Sequence, residues 1–213
     1  MHILLTRPLD DSKELILRFK SLGHKVSHLP VINVFTIKYI EPNYNEFNGI
    51  IFTSANAIKN LNTSKINKNI KCFCVGSSTE NIAKKSGFQN IFCAEGNVNN
   101  LKEIIIQNFN KNNGSLIYIC GEIVSYNLDK DLILEGYSIK RLINYSVKRT
   151  DEISEEFIKD LKSLIPNIVF IYSENSARSF LNILKKYDLQ DEWMETNLMC
   201  LGERASSVLN EIK

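Results

Sequence analysis

An apolar run, then hydroxyl residues, then helical spacing occurs twice in this chain. The first copy, 50–61 (IIFTSANAIKNL), begins as a buried strand and continues with apolar residues spaced as on one helix face. The second copy, 168–181 (IVFIYSENSARSFL), keeps the same order. Each copy is followed by a matching glycine-containing unit, at 72–83 and 199–209. The pattern predicts two related halves, each with the same pair of strand-to-helix corners.

Strands alternate with helical segments along the rest of the chain, which predicts βα units and parallel sheets. A strand at 3–6 precedes a helix at 12–22, for example, and Gly23 ends that helix. Extended segments at 30–38 and 143–150 stand before the two serine corners. The first of them contains Pro30, which favours a connector between domains over a central strand.

The two extended segments predict where the chain crosses between domains. We expect a first, discontinuous α/β domain of residues 1–34 and 150–213, and a second α/β domain of residues 39–143. Residues 35–38 and 144–149 would be the linker strands, lying side by side as a two-stranded hinge. A single doubly wound sheet is the alternative, but about ten strands would be many for one sheet.

Composition narrows the function classes. With 213 residues and 44% hydrophobic residues, the chain can bury one large or two small cores. The net charge of +2 and the scattered lysines favour neither nucleic acid nor a membrane surface as partner. No apolar stretch approaches the ~20 residues of a membrane span, and the N-terminus lacks a signal-peptide pattern. We therefore expect a cytoplasmic protein.

Motifs for several kinds of chemistry are missing from the sequence. The five cysteines form no CxxC pair and the three histidines no HExxH pair, so buried thiols are expected, with no metal site and no disulfide framework. No GxGxxG, P-loop or GxSxG motif occurs, which disfavours a Rossmann-like nucleotide enzyme and a hydrolase.

The corners themselves are the candidate site. Unpaired N–H groups at helix starts bind carboxylates or phosphates, and ligands of open α/β sheets lie at the carboxyl ends of the strands. Ser and Thr are equally common as plain N-caps, and that alternative stays open for each corner. Four corners of two repeated types favour an anion site in a cleft between the domains. The candidates are Thr53, Ser54, Ala55, Gly76, Thr79, Ser173, Asn175, Ser176 and Gly202.

Two further side chains join this list through the expected topology. Arg7 follows the first strand, where a residue of the cleft belongs, although it would also fit as a surface cation beside Pro8. Tyr145 lies in the second extended segment, where it is either a packing aromatic of the hinge or a group of the site.

Taken together, the ordered motifs resemble the uroporphyrinogen-III synthase family. The resemblance rests on ILLTRP, LGHKVSHLPVI, IIFTSANAI, CFCVGSSTENIAKKSG, LIYICGE, EGYSIKRLINYSV, IVFIYSENSARSFL and CLGERAS, which cover nearly the whole chain. It implies two flavodoxin-like α/β domains with parallel sheets, joined by a two-stranded antiparallel linker. It also implies a cofactor-free cyclising lyase, which acts as a monomer.

The substrate that the resemblance implies is hydroxymethylbilane, a linear tetrapyrrole with eight carboxylates, handed over from hydroxymethylbilane synthase. The enzyme removes water and closes the ring while it inverts ring D, which gives uroporphyrinogen III for haem biosynthesis. Such a reaction needs positioning of the chain end and a general acid for the departing hydroxyl. A non-catalytic, two-lobed binding module for a small polyanion is the alternative function.

Residue roles follow from the same resemblance. Tyr145 matches the tyrosine usually proposed as the acid, and Thr79 matches the threonine of the GxxT motif. Ser54 and Ser173 match the serines of the two corners, and Gly121 belongs to the matching LIYICGE block. The chain departs from many relatives at two positions, with Cys120 in place of an arginine and Ala205 in place of a threonine.

Overall fold

The computed structural model of this chain describes residues 1–150 and 152–210. It divides into two compact units, the first made of Met1–Asn33 with Lys148–Lys213 and the second of Val34–Val147. Asp151 and residues 211–213, which fall in the predicted first domain, lie outside the described residues. The predicted α/β class with parallel sheets is confirmed, and the strands form two sheets instead of the single sheet of the alternative.

The described residues form strands and helices that alternate along the chain. In chain order the strands are β1 (His2–Leu5), β2 (Lys25–His28), β3 (Ile32–Thr36), β4 (Phe47–Phe52), β5 (Lys71–Val75), β6 (Ile91–Ala94), β7 (Ser115–Gly121), β8 (Ser138–Arg149), β9 (Ile168–Ile171) and β10 (Asn197–Cys200). The α-helices are α1 (Leu9–Ser21), α2 (Ala55–Lys59), α3 (Ser77–Lys85), α4 (Val98–Asn108), α5 (Leu128–Leu134), α6 (Glu155–Ser163), α7 (Glu174–Lys186) and α8 (Glu203–Leu209).

In the first unit, four parallel strands form a sheet in the order β10-β9-β1-β2. The central strand β1 is buried along its whole length, as expected for a parallel strand covered on both faces. Phe180 of α7 packs against Trp193 with a distance of 5.5 Å between ring centroids, and both belong to the core that contains Leu4. The amphipathic face of α7 thus supplies much of this core.

Helix α1 begins three residues before the predicted start at residue 12. Pro8 stands at the N-cap, and the acidic residues Asp10 and Asp11 lie in the first turn. Negative side chains stabilise the N-terminal end of a helix because of the helix dipole. Residues 9–11, which precede the predicted helix, are therefore part of its first turn.

In the second unit, the strands form a six-stranded sheet in the order β3-β8-β7-β4-β5-β6. The pairs from β8 to β6 are parallel. Side chains alternate between two apolar cores, so that Ile50 and Phe52 of β4 face one core while Ile51 faces the other. The face that holds Phe52 packs against α2 and α3, and the opposite face against α4 and α5.

The two extended segments are antiparallel. The N–H of Thr150 donates to the Val31 carbonyl in the first unit, and the N–H of Ile37 donates to the Asn144 carbonyl in the second. Residue 31 thus pairs with residue 150, and residue 37 pairs with residue 144. Because one number rises as the other falls, the two segments run antiparallel. The sequence-predicted pair of extended segments is thus present as neighbouring strands β3 and β8.

Candidate functional site

The serine corners have the same local structure in both units. Ser54 is the N-cap of α2 and accepts a hydrogen bond from the N–H of Asn56, 3.2 Å away. Ser173 is the N-cap of α7 and accepts one from the N–H of Ser176, also 3.2 Å away. Both serines have extended backbone angles, as N-cap residues do. Ser54 and Ser173 therefore both act as N-caps, and a contact with a ligand would be an additional role.

The glycine corners also match. Gly76 precedes α3 with φ 79° and ψ 149°, and Gly202 precedes α8 with φ 95° and ψ 156°. These angles lie in a region that is essentially restricted to glycine. In both helices the N-cap residue makes no side-chain hydrogen bond to the first turn. The sequence repeat is thus a repeat of local backbone geometry.

A pocket of about 140 Å³ brings three of the predicted site residues together in the second unit. Thr53 and Ser54 come from the end of β4, and Tyr145 comes from β8. Tyr118 of β7 also lines the pocket, and residues 123–126, which follow β7, form its rim together with Val98. Thr53, Ser54 and residues 123–126 follow the carboxyl ends of parallel strands, where ligands of α/β sheets bind, and Tyr118 lies three residues before the end of β7.

The two hydroxyls that follow β4 point to different partners because side chains alternate along a strand. The Thr53 hydroxyl is 2.9 Å from the Tyr118 hydroxyl, and Tyr118 belongs to the core on the α4 and α5 face. The Ser54 hydroxyl forms a hydrogen bond with Tyr145, which belongs to the core on the opposite face. Each hydroxyl of the corner is therefore paired with one tyrosine.

A β-bulge sets the direction of Tyr145. The pairing of β7 with β8 shifts between Cys120, which lies opposite Ile143, and Gly121, which lies opposite Tyr145. Asn144 is the extra residue. Ile143 packs with the core on the α4 and α5 face, so regular alternation would put Tyr145 on that face too. The bulge turns Tyr145 to the other face, where Ser54 lies.

Asn144 itself is buried completely. Its side-chain nitrogen donates to the Ala57 carbonyl in α2 at 2.7 Å. Helix α2 has only five residues, far too few to be stable alone, so such anchors hold it in place. The side-chain oxygen of Asn144 has no hydrogen-bond partner among the described residues, which is costly in an interior.

Gly121 makes room for the tyrosine ring. A Cβ atom on Gly121 would lie 2.8 Å from Cζ of Tyr145 and 2.9 Å from its Cε2. Real Cβ atoms do not approach carbon so closely, so only glycine permits this position of the ring. The Tyr145 carbonyl in turn accepts a hydrogen bond from the N–H of Glu122 at 2.9 Å.

Burial raises the pKa of the Tyr145 phenol above its ordinary value of 10.0, although hydrogen bonds with Ser54 and the Gly121 backbone oppose the shift. The side chain is 8% exposed. With a pKa above 10, the phenol carries its proton throughout the neutral range. It can therefore donate a hydrogen bond or a proton, and it cannot act as a base at neutral pH.

In the first unit, Arg7 lies where the sequence predicts it, just after β1. Its guanidinium carbon is 4.8 Å from the centroid of the Tyr172 ring, within the range of a cation–π interaction. One guanidinium nitrogen is 3.5 Å from a carboxylate oxygen of Asp11. The side chain is about one-third exposed, so the cation is held in place while part of it still faces solvent.

The serine corner of the first unit, residues 173–176, has several polar contacts. The hydroxyls of Ser173 and Ser176 are 2.9 Å apart, and Ser176 is buried whereas Ser173 is exposed. Arg149 donates to the side-chain oxygen of Asn175 at 3.0 Å. Gly202 is exposed, and the departure Ala205 lies buried in the core.

Four predicted residues of the second unit are not among the described residues that line the pocket: Ala55, Gly76, Thr79 and Gly121. Gly76 is half-buried, and the Thr79 side chain is only 4% exposed. Neither occurs among the described residues that form the pocket wall around Tyr145. Ala55 directly follows Ser54 and is half-buried at the start of α2.

The structure adds residues that the sequence reasoning missed. Tyr118 stands in an apolar strand and looked like an ordinary core residue, although a hydroxyl close to the end of a buried strand was a signal. Arg141 is a second such residue, and its position in the sequence carries no signal for the site. Its Nε donates to the Cys120 sulfur at 3.2 Å, and its Nη1 is 3.8 Å from a carboxylate oxygen of Asp129. A guanidinium from the neighbouring strand β8 thus contacts Cys120, the position at which many relatives have an arginine.

Residues 1–150 and 152–210 contain no candidate metal site and no candidate membrane span. Nowhere in these ranges do three or more His, Cys, Asp or Glu side chains come together in a way that could hold a metal ion. Each helix there is too short or too polar to cross a membrane.

The fold and the paired corners define a two-unit α/β protein in which each unit presents hydroxyl groups at the carboxyl ends of parallel strands. The family model described as "Uroporphyrinogen-III synthase HemD" matches residues 13–213. The chain therefore belongs to the uroporphyrinogen-III synthase family, a family of cyclising lyases in tetrapyrrole biosynthesis. The family and the enzyme class expected from the sequence motifs are confirmed.

Solved structures with this name have a similar fold. A mutant uroporphyrinogen III synthase from the extremely thermophilic bacterium Thermus thermophilus is 12% identical with a TM-score of 0.59, and the match covers 100% of this chain and 89% of that chain. Uroporphyrinogen-III synthetase from Helicobacter pylori 26695 is 16% identical with a TM-score of 0.57, and the match covers 100% and 99%. A search of curated proteins found no match. At these identities the two structures support the fold.

Proposed function

We propose that this protein is a uroporphyrinogen-III synthase that cyclises hydroxymethylbilane, with loss of water and inversion of ring D. The family membership carries this proposal. The pocket of the second unit supports it, because a protonated tyrosine and two hydroxyls converge there at the carboxyl ends of the strands. The substrate has eight carboxylates, and hydroxyl and N–H donors are the groups that bind carboxylates without a cofactor.

In this proposal Tyr145 is the general acid. When the bond between carbon and the departing hydroxyl breaks, the oxygen leaves with the bonding electrons and takes the phenol proton, which yields water. The raised pKa keeps the proton on Tyr145 before the reaction. The same shift weakens the acid, so a moderate contribution to the rate is expected, at the low end of general-acid effects. Gly121 and the bulge at Asn144 hold the ring in position.

The hydroxyl corners are proposed to bind substrate carboxylates. In the second unit Thr53 and Ser54 would donate their hydroxyl protons, and Ala55 would contribute its backbone N–H. Gly76, whose N–H already donates to the Ala94 carbonyl, would let the substrate approach the backbone closely, and Gly121 would act by placing the Tyr145 ring. In the first unit the proposed carboxylate ligands are Arg7, Ser173, Asn175, Ser176 and Gly202. Thr79 is proposed to support the Gly76 corner from within, since its side chain is buried.

The remaining expectations complete the proposal. The two units, whose boundaries along the chain fall at residues 33/34 and 147/148, would act as the two domains of the enzyme. We propose that the protein works in the cytoplasm as a monomer, without cofactor or metal, and receives its substrate from hydroxymethylbilane synthase.

An isomer assay tests the function. Purified protein is mixed with hydroxymethylbilane, and the oxidised products are separated into type I and type III uroporphyrin. The expected result is a rate of type III formation that is proportional to the amount of protein, since free solution gives the type I isomer. A product that is type I alone, formed at the uncatalysed rate, would overturn the proposal. Tight binding of the bilane without turnover would instead favour a two-lobed binding module.

A further inference from the structure

Tyr118 is the buried polar residue of the pocket that the proposed reaction does not use. Its side chain is 1% exposed, and its hydroxyl lies 2.9 Å from the hydroxyl of Thr53. Both residues line the pocket that also contains Tyr145. Residue 118 stands on the central strand β7, while residue 53 ends the neighbouring strand β4, so rigid backbone holds the two hydroxyls together.

The chemistry of the pair decides which hydroxyl donates. A phenol is a stronger acid than an alcohol and hence the better donor, whereas the threonine oxygen has two lone pairs to accept with. Burial also raises the pKa of Tyr118 to about 12, so the phenol keeps its proton. In the resulting arrangement Tyr118 donates to Thr53, and the proton of Thr53 remains free.

A hydroxyl that accepts one hydrogen bond becomes a stronger donor in the next, because chains of hydrogen bonds polarise one another. The bond from Tyr118 also fixes the rotamer of Thr53, which lowers the entropy lost on binding. Because Thr53 lines the pocket, its remaining proton is available to a ligand bound there.

We propose that Tyr118 is a positioning residue, which orients and polarises the Thr53 hydroxyl so that it donates to a carboxylate of the bound substrate. This proposal rests on the proposed function, in which Thr53 binds a substrate carboxylate. It adds that Tyr118 occupies Thr53 as an acceptor, so that Thr53 donates to its ligand. Tyr118 acts through Thr53 and does not itself reach the reacting atoms.

The test is a double-mutant cycle of Tyr118→Phe and Thr53→Val, measured by the isomer assay. Each substitution removes one hydroxyl and nearly preserves the shape of the side chain. We expect Tyr118→Phe to raise KM roughly three- to tenfold, as for one lost hydrogen bond, with kcat within about twofold. Thr53→Val should raise KM by at least as much, and the double variant should resemble Thr53→Val alone. In a Thr53→Ser background, which keeps the hydroxyl, Tyr118→Phe should raise KM by the same factor as in the wild type.

A matched control separates positioning from stability. Tyr137 is also buried in the second unit, and its hydroxyl donates to the Phe109 carbonyl at 3.2 Å, away from this pocket. Tyr137→Phe should lower Tm by an amount similar to Tyr118→Phe and leave KM unchanged. If Tyr118→Phe fails to fold, 3-fluorotyrosine at position 118 provides a second test. It keeps the hydroxyl and makes it a better donor, so KM should be lower than the wild-type value.

The outcomes distinguish this inference from the proposed function. If Thr53→Val raises KM but Tyr118→Phe does not, the inference is wrong while the carboxylate site at Thr53 stands. Multiplicative effects of the two substitutions on KM would likewise overturn it. An unchanged or raised KM of the protein with 3-fluorotyrosine at position 118 would also overturn the inference. An unchanged KM in Thr53→Val would contradict the binding role of the corner, and an absence of type III product from the wild type would contradict the function itself.

Discussion

Replacing Gly121 by alanine would move Tyr145 without changing any group that can exchange a proton. The new Cβ atom would be 2.8 Å from Cζ, 2.9 Å from Cε2 and 3.1 Å from the phenol oxygen of Tyr145. Carbon atoms in favourable contact are about 3.5 to 4.0 Å apart. The ring must therefore retreat by roughly 0.7 to 1 Å, since Gly121 lies within strand β7 and has little freedom to move.

The size of the effect follows from that displacement. A misplacement of about 1 Å at a reacting group can lower the rate on the order of 100-fold. Overpacking of a core by one methyl group costs about 1 to 3 kcal/mol of folding free energy. We therefore expect Gly121→Ala to lower kcat for type III formation roughly 10- to 100-fold in a protein that still folds.

The assay compares Gly121→Ala in two backgrounds. In the wild-type background the substitution should lower kcat roughly 10- to 100-fold. This kcat is measured as the rate of type III formation after separation from the type I product. In Tyr145→Ala the ring is absent, so a further Gly121→Ala change should have almost no additional effect. Thermal unfolding of all four proteins shows whether folding is affected in parallel.

Two results would refute this reasoning. A Gly121→Ala protein with a wild-type rate would mean that the ring position does not matter for the reaction. An equal fold-loss in both backgrounds would mean that alanine acts on the backbone of β7 and not through Tyr145.

Three other predictions concern the same unit. Tyr145→Phe should lower kcat roughly ten- to a hundredfold while KM changes little, as expected for a general acid, and a wild-type kcat would leave the tyrosine a packing role. Asn144→Ala should destabilise the protein by about 1 to 3 kcal/mol in urea unfolding, because the Ala57 carbonyl loses its partner, and an unchanged midpoint would contradict that anchor. Because burial raises the pKa of Tyr118 to about 12 in the folded state, its contribution to stability is complete below pH 10 and is lost as the pH rises through about 12. Urea unfolding between pH 8 and 12 should therefore show a shallower decline for Tyr118→Phe than for the wild type, and identical slopes would argue against the shift.

The local parts of the site could be predicted because they depend on neighbours in sequence. An apolar run followed by a hydroxyl and helical spacing was enough to place Ser54 and Ser173 at helix N-caps, where the structure has them. The positions of Gly76 and Gly202 before α3 and α8 were visible in the same way. A corner of this kind forms within about five residues, so its signals lie close together in the chain.

The contacts that make the pocket join residues far apart in sequence. Thr53 and Tyr118 are 65 residues apart, and Asn144 and Ala57 are 87 apart. The register between strands decides such contacts, and it depends on the packing of both faces at once. Nothing in the residues around 118 shows which hydroxyl they will meet.

The sequence by itself determined the α/β class, the repeated corners and the family, and it named Tyr145 as a candidate for the site. Only the tertiary structure decided which way Tyr145 faces. Strict alternation along β8 would direct its ring to the α4 and α5 face, with Ile143. The single extra residue at the bulge reverses that direction, and Gly121 on the neighbouring strand leaves the space that the ring needs. A bulge arises from the fit of two strands, and therefore neither strand encodes it alone.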